Sequence, residues 1–195
     1  MNYLAHAFLS GNDQNLLVGN FIADHIRGNN FEGYSEEIIR GIKLHRQIDS
    51  FSDNHELFKV SKRIFYDGFE KYSGILVDIY FDYFLAADFG NYADVTLENF
   101  ATKVYGVYRS HRALLPFSSQ RFLEYVLKND VYTTYANIEG IEKVLYHLSG
   151  RVGHNVRLDH SVKLFVQNEP DLKNNFREFF GAAIKHFLDA GGIVK

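Results

Sequence analysis

The chain has 195 residues, of which 46% are hydrophobic and only two are proline, so its composition predicts a compact globular protein. The absence of cysteine excludes disulfides and thiolate metal sites, and a net charge of −3 gives no general attraction to nucleic acid. Because the first residues lack a basic segment and a cleavage site, and no apolar run approaches about 18 residues, we expect a cytoplasmic protein without a membrane anchor.

Helical periodicity and capping residues recur along the chain, whereas strict alternation of apolar and polar residues is scarce. The pattern predicts an all-α fold, a single-domain helical bundle over residues 1–195. Gly28 is expected just after the second helix, in the C′ position. The first five helices are predicted at about 2–9, from Asn12 or Asp13 to Arg27, from Ser35 to about Phe51, from Asp53 or Asn54 to about Tyr66, and at about 70–89.

Five more helices are predicted in the second half of the chain, with Pro116 and Ser118 separating the first two of them. Pro170 is expected near the start of the last helix. The predicted ranges are Thr96 to about Arg112, about 119–128, about 138–150, about 155–167, and a final helix ending at Gly191-Gly192.

Polar side chains interrupt several of these apolar helices, which is costly for buried charges unless something compensates them. Three pairs are spaced four residues apart, so each pair lies on one face of its helix. His6 stands alone in an apolar segment, and Asp53 follows one turn after the second pair. The pairs are Asn20 and Asp24, His45 and Asp49, and Asp78 and Asp82.

Each feature also has a purely structural interpretation. His6 is compatible with a hydrogen-bonded core residue, the first pair with helix–helix bonding, and the second with a solvated ion pair. The Asp78/Asp82 pair is harder to explain in this way, because its neighbours are apolar. Two desolvated carboxylates that lie close together raise each other's pKa unless a cation intervenes.

Three polar pairs on neighbouring helices are typical of a metal centre in a helical protein. Carboxylate and imidazole ligands without sulfur favour Mn²⁺ or Mg²⁺, with Fe²⁺ or Zn²⁺ as alternatives. The chain has no Glu-x-x-His motif of the di-iron type, so Lewis-acid hydrolysis is the predicted chemistry. Arg46 is the best candidate for binding a phosphate, since a guanidinium can bind two of its oxygens at once.

Four segments in register resemble the acyl carrier protein phosphodiesterase family. The family commonly has histidine where this chain has Tyr83. The resemblance implies an all-helical fold distantly similar to the HD-domain metal phosphohydrolases, and a Mn²⁺-favouring enzyme that hydrolyses the phosphodiester between 4′-phosphopantetheine and a serine of acyl carrier protein. The segments are Met1-Asn-Tyr-Leu-Ala-His6, Gly19-Asn-Phe-Ile-Ala-Asp24, Gly41-Ile-Lys-Leu-His-Arg-Gln-Ile-Asp49 and Asp78-x-x-x-Asp82.

With this resemblance, each polar residue receives an expected role. Arg46 would stabilise the phosphoryl charge, and His6 or Asp82 would handle a proton or orient a ligand. The expected metal ligands are Asp24, His45, Asp49 and Asp78. The residues expected to contact the substrate or the acidic carrier protein are Asn20, Arg27, Arg40 and Lys43.

Two other functions remain open at this stage. The same metal site would suit a hydrolase of small phosphodiesters or nucleotides. From a different class, the chain would be a helical binding module whose polar pairs are only structural.

Overall fold

The computed structural model describes residues 1–152 and 156–189, and within these residues every regular element is helical, as predicted. None of the helices in this part of the chain has the length and apolar character needed to cross a lipid bilayer. The helices are α1 (Tyr3–Leu9), α2 (Gln14–Ile22), α3 (Glu36–Asn54), α4 (Glu56–Ile64), α5 (Tyr66–Phe69), α6 (Ser73–Ala87), α7 (Leu97–Ser110), α8 (Phe117–Lys128), α9 (Val131–Thr134), α10 (Ile138–Arg151) and α11 (Val162–Ile184).

Three helices begin at caps that the sequence predicts. The Asp13 side chain accepts hydrogen bonds from the first backbone amides of α2, and Ser35 and Thr96 do the same for α3 and α7. A side-chain oxygen in this position satisfies an amide that has no partner inside the helix. Local side-chain chemistry therefore fixes these three boundaries.

The prediction that the second helix continues to Arg27 is wrong. Helix α2 ends at Ile22 and is followed by a 3₁₀ turn over Ala23–His25. Gly28 has a φ of +55° and Gly33 a φ of +84°, so both lie in the loop that follows rather than at a helix end. Left-handed glycines and the adjacent asparagines favour turns over helix in this segment.

Two boundaries in the middle of the chain also differ from the prediction. Helix α3 runs on through Asn54, and the cap of α4 is His55 rather than Asp53 or Asn54, because its Nδ1 atom accepts a hydrogen bond from the backbone amide of Leu57. Helix α6 begins only at Ser73, because Gly68 makes a turn with a φ of +104° upstream. The helix is therefore shorter than the predicted range of about 70–89.

The prediction of two separate helices around Pro170 is wrong as well. Helix α11 is continuous from Val162 to Ile184 with Pro170 inside it. Proline removes one hydrogen bond to the carbonyl four residues earlier, which belongs here to Val166, a residue 57% exposed. The buried stripe of Phe165, Leu172 and Phe176 holds both halves of the helix against the core. The predicted limits at residue 155 and at Gly191-Gly192 lie outside the described residues.

Helix α6 is the central element of the core and packs against α1, α4, α10 and α11. Its Tyr80 ring stacks on Phe165 with centroids 4.2 Å apart and on Phe65 at 5.3 Å. The Tyr80 hydroxyl is 2.7 Å from the hydroxyl of Ser161. This aromatic packing fixes α6, which carries both Asp78 and Asp82, relative to the helices around it.

Helices α2 and α3 pack closely against each other. A Cβ atom added to Gly19 would collide with the carbonyl oxygen of Ile38, and one added to Gly41 would collide with that of Leu16. Glycine at both positions lets the two backbones approach each other more closely than any other residue would allow. The crossing places Asn20, next to Gly19, beside His45 of α3.

We predict that Gly41→Ala destabilises the protein by at least about 2 kcal/mol, because the added methyl group forces the two backbones apart. Gly106→Ala is the matched control, since Gly106 lies inside α7 with no atom within 4 Å of an added Cβ. That change should raise stability by about 0.5–1 kcal/mol. Urea unfolding measures both free energies, and equal effects of the two substitutions would contradict the account.

Candidate metal centre

A polar cavity of about 320 Å³ lies between α1, the 3₁₀ turn after α2, α3 and α6. Residues from all four elements line it, so the tertiary fold assembles the site from distant parts of the sequence. All four predicted metal ligands are among them. The histidine and aspartate side chains that line the cavity are His6, Asp24, His45, Asp49, Asp53 and Asp78.

Two imidazoles and one carboxylate converge on one side of this cavity. One ligand atom from each of His6, His45 and Asp49 can be chosen so that all three lie within 4.8 Å of one another. The Nε2 atoms of both histidines are 3.2 Å from the Asp49 carboxylate, and the rings are stacked with centroids 4.1 Å apart. Asp24 joins this group through His45, because the Oδ1 atom of Asp24 lies 3.2 Å from the Nε2 atom of His45.

Asn20 contacts the two imidazole rings at their Nδ1 atoms, whereas their Nε2 atoms face the carboxylates. Its Oδ1 atom is 2.9 Å from Nδ1 of His6 and 2.8 Å from Nδ1 of His45. Its amide nitrogen donates to the His6 carbonyl and to the Ser10 hydroxyl, which fixes which end of the amide faces the rings. Since an amide oxygen only accepts hydrogen bonds, both Nδ1 atoms must carry the proton, and both Nε2 atoms are directed toward the carboxylates.

The environment shifts the pKa values of these groups in different directions. Burial lowers the pKa of His6. Burial would also lower that of His45, but hydrogen bonds and charge from Asp24 and Asp49 raise its pKa to about 9. For Asp49, burial works against ionisation, yet the hydrogen bond with the protonated His45 holds its pKa well below the usual range. At neutral pH Asp24 and Asp49 are therefore ionised, and His45 carries a proton on both ring nitrogens.

The donor geometry suits a divalent cation. A neutral His6 that is protonated on Nδ1 presents an unprotonated Nε2 to the Asp49 carboxylate at 3.2 Å and to the Met1 carbonyl oxygen at 3.1 Å. A lone pair facing two oxygens is unfavourable unless a cation lies among them. Imidazole nitrogen and carboxylate oxygen are both common ligands of transition metals, so these residues fit a metal site.

The two acids of α6 have different surroundings. Asp78 lines the cavity and is paired with the ammonium group of Met1 at 2.5 Å. Asp82 is fully buried, and its carboxylate accepts hydrogen bonds from the backbone amides of Leu4 and Ala5 at 2.8 and 3.1 Å. These contacts cap the first turn of α1, which has no cap from its own Asn2 side chain. Both acids thus fix the segment that carries His6.

The predicted basic residues are spread over different surfaces. The Arg46 guanidinium donates to the carbonyl oxygens of Gly28 and Ile26 and lies over the Phe31 ring, so in this conformation it fastens the loop after α2. Arg27 is exposed in the same loop. Arg40 and Lys43 line a separate cavity of about 400 Å³, and both project from α3 well away from His45.

Sequence reasoning missed several residues of the site. Tyr3 and Ser52 line the cavity, although the pattern of their segments predicts only ordinary core or helix surface. Arg151 was also missed, although its charge is close enough to influence the Tyr3 hydroxyl. No local pattern marks these residues, because they reach the site only through the packing of α1, α3 and α10.

Helical architecture and an imidazole–carboxylate cavity define an all-α protein with a candidate metal centre. The family model for acyl carrier protein phosphodiesterase matches residues 1–183. Curated proteins with that name are similar over most of the chain. One from Pectobacterium atrosepticum is 30% identical over 92% of this chain and 94% of its own length. One from Yersinia enterocolitica is 28% identical over 97% and 98%.

A third relative with the same name, from Klebsiella pneumoniae, is 32% identical over 77% of this chain and 79% of its own length. No solved structure matches the chain. The extent of the family match shows that this chain belongs to the acyl carrier protein phosphodiesterase family. The family suggested by the sequence motifs is thereby confirmed.

We predict that Asn20→Ala weakens Mn²⁺ binding by about 10–100-fold, because both imidazoles lose the acceptor that orients them. Asn15→Ala is the matched control, as Asn15 lies on the same helix and does not line the cavity. Isothermal titration of the metal-free proteins measures the affinities. Imidazole ¹⁵N spectra should show protonated Nδ1 atoms in the Asn15 variant and altered signals in the Asn20 variant; unchanged signals in both would contradict the role of Asn20.

The affinity for Mn²⁺ should depend on pH. Because the pKa of His45 is raised to about 9, this side chain is protonated at pH 7 and must lose its proton before it can bind an ion. We therefore expect the dissociation constant to fall by about tenfold per pH unit between pH 7 and 9, with about one proton released per ion. Calorimetry in buffers of different ionisation enthalpy measures the released protons, and a pH-independent affinity without proton release would contradict this prediction.

Proposed function

We propose that this chain hydrolyses the phosphodiester bond between 4′-phosphopantetheine and a serine of acyl carrier protein, releasing the prosthetic group and the apo carrier. Membership of the family supports this reaction, as do the names of the relatives. The single observation that carries the proposal is the convergence of His6, His45 and Asp49 on one side of an open polar cavity. The Asp49 side chain is 45% exposed, so this side of the cavity is open to solvent.

Electrostatics supports a role for a cation in this reaction. Four carboxylates line the cavity, whereas a phosphodiester is itself an anion, so the two would repel each other without compensating positive charge. A bound divalent ion supplies that charge, lowers the pKa of a water molecule and neutralises charge on the phosphoryl oxygens. The carboxylates that line the cavity are Asp24, Asp49, Asp53 and Asp78.

We infer that the ion is Mn²⁺, held by His6, His45 and Asp49 with Asp24 at the edge. Manganese accepts both imidazole nitrogen and carboxylate oxygen, whereas Mg²⁺ prefers oxygen ligands and is the less suitable alternative. His6 moves in this proposal from the predicted proton-handling role to that of a ligand. Direct ligation by Asp78 stays a prediction, because its carboxylate is paired with the Met1 ammonium group.

The other predicted roles depend on how the residues are held. A phosphate-binding role for Arg46 requires its guanidinium to leave the carbonyl oxygens of the loop after α2. Asp82 acts here through α1, as a positioning residue for His6. Arg27 follows Asp24 by three residues and is the best placed of the basic residues to meet an acidic carrier at the cavity. The cytoplasmic location expected from the sequence stays a prediction.

Mass analysis of holo-carrier protein incubated with the enzyme and Mn²⁺ tests the proposal. We expect the carrier to lose the mass of its prosthetic group, and Asp49→Asn to lower the rate by at least about 100-fold, because the substitution removes a ligand charge that both histidines contact. Asp171→Asn is the matched control, since Asp171 is an exposed carboxylate on α11 that does not line the cavity. Its rate should equal that of the unmodified chain.

Chelation followed by return of Mn²⁺ should abolish and then restore the reaction. Small phosphodiesters and nucleotides form a parallel set of substrates. If the Asp49→Asn enzyme releases the prosthetic group from the carrier as fast as the unmodified enzyme does, the assigned site is wrong. If a small phosphodiester is hydrolysed faster than the carrier, the assigned substrate is wrong.

A further inference from the structure

A second, smaller cavity opens directly beside the metal cavity. Its volume is about 100 Å³, and it shares three lining residues with its larger neighbour, namely Asn2, Tyr3 and Ile75. Beyond this shared wall its lining comes from α6, α8, α10 and the segment around α9, and it is mainly apolar. The aliphatic and aromatic residues that matter for the argument are Ile79, Phe122, Val144 and Leu148.

The walls of this apolar cavity are held by specific packing. The Tyr3 ring packs on the Phe122 ring with centroids 4.5 Å apart, and the Asn2 amide donates to the Tyr135 hydroxyl at 3.0 Å. Phe122 and Val144 are only partly buried, so solvent reaches the cavity. The cavity is therefore an open apolar recess beside a polar site, a combination typical of small-molecule binding sites.

The rim of the recess carries polar groups. Arg151 lines it with its guanidinium over the Tyr125 ring at 5.1 Å, and His147 of the same helix lines it as well. Both residues are exposed. A ligand that fills the recess can thus place an apolar group inside and hydrogen-bonding groups at the rim.

The proposed substrate also carries an apolar group next to its phosphate, with hydrogen-bonding groups immediately beyond. In 4′-phosphopantetheine the phosphate oxygen is attached to a methylene group, and the next carbon carries two methyl groups. A hydroxyl group and an amide carbonyl follow at once. A phosphate bound at His6, His45 and Asp49 therefore has a branched apolar carbon within two bonds of its ester oxygen, and polar atoms immediately beyond.

We propose that the apolar recess is the subsite for the dimethyl-substituted carbon of the pantoyl unit, with Arg151 and His147 facing the hydroxyl and amide that follow. This inference rests on the proposed function. The size is suitable, because an apolar cavity of about 150 Å³ holds a benzene molecule, and the branched carbon with its two methyl groups is smaller. Burial of these methyl groups orients the prosthetic group and places its phosphate at the metal centre.

A carrier protein loaded with a pantetheine analogue that lacks both methyl groups tests the subsite. We expect the unmodified enzyme to cleave this carrier with a kcat/KM at least about tenfold below that for the natural one, since an apolar pocket discriminates by about this factor for each missing carbon group. Release of prosthetic group from both carriers is followed by mass analysis.

Substitution in the recess gives a second readout. Val144→Phe should fill the recess and lower kcat/KM for the natural carrier by about tenfold or more, but lower it much less for the analogue without methyl groups. Val166→Phe is the matched control, because Val166 is exposed on α11 and lines none of these cavities. Affinity for Mn²⁺ should be unchanged in both variants.

The outcomes separate this inference from the proposed function. If the unmodified enzyme releases no prosthetic group from either carrier, the proposed function fails. If it cleaves both carriers equally well, the subsite is wrong although the function stands. The comparison of the two carriers needs no variant, so it decides the question even if Val144→Phe does not fold.

Discussion

The candidate site depends on one shared hydrogen-bond acceptor, the side-chain oxygen of Asn20. It lies within 2.9 Å of the Nδ1 atoms of both His6 and His45, which come from different helices. A single oxygen can serve two rings only if α2 approaches α3 very closely, and Gly19 and Gly41 permit that approach. Two glycines without catalytic chemistry thus set the direction in which both imidazoles point.

Helix α1 needs separate support, because it has only seven residues and no side-chain cap of its own. That support comes from α6. Asp82 binds two amides in the first turn of α1, and Asp78 binds the ammonium group of Met1. Burial raises the pKa of Asp82 to about 7, while the bound amides oppose the rise. The acids of the apolar helix α6 therefore hold the segment that carries His6.

Sequence patterns predict the all-α fold, the caps at Asp13, Ser35 and Thr96, and the polar pairs that surround the cavity, since each depends on neighbours within a few positions. Pro170 wrongly predicts a break between two helices, because the packing of the buried stripe on α11 outweighs the one hydrogen bond that proline removes. The sequence could not predict that Asp78 pairs with the Met1 ammonium group while Asp82 binds the first amides of α1. Helical spacing shows that two residues share a face, but it does not show which groups face them. Arg151 belongs to the apolar recess only through long-range packing.

The most direct test of the metal centre is a crystal of the protein grown with Mn²⁺ and measured for anomalous scattering. The account predicts a peak at coordination distance from the Nε2 atoms of His6 and His45 and from the Asp49 carboxylate, with the Nδ1 atoms of both histidines still donating to the Asn20 oxygen. A peak that touches neither histidine, or no peak in the cavity at saturating Mn²⁺, would contradict it.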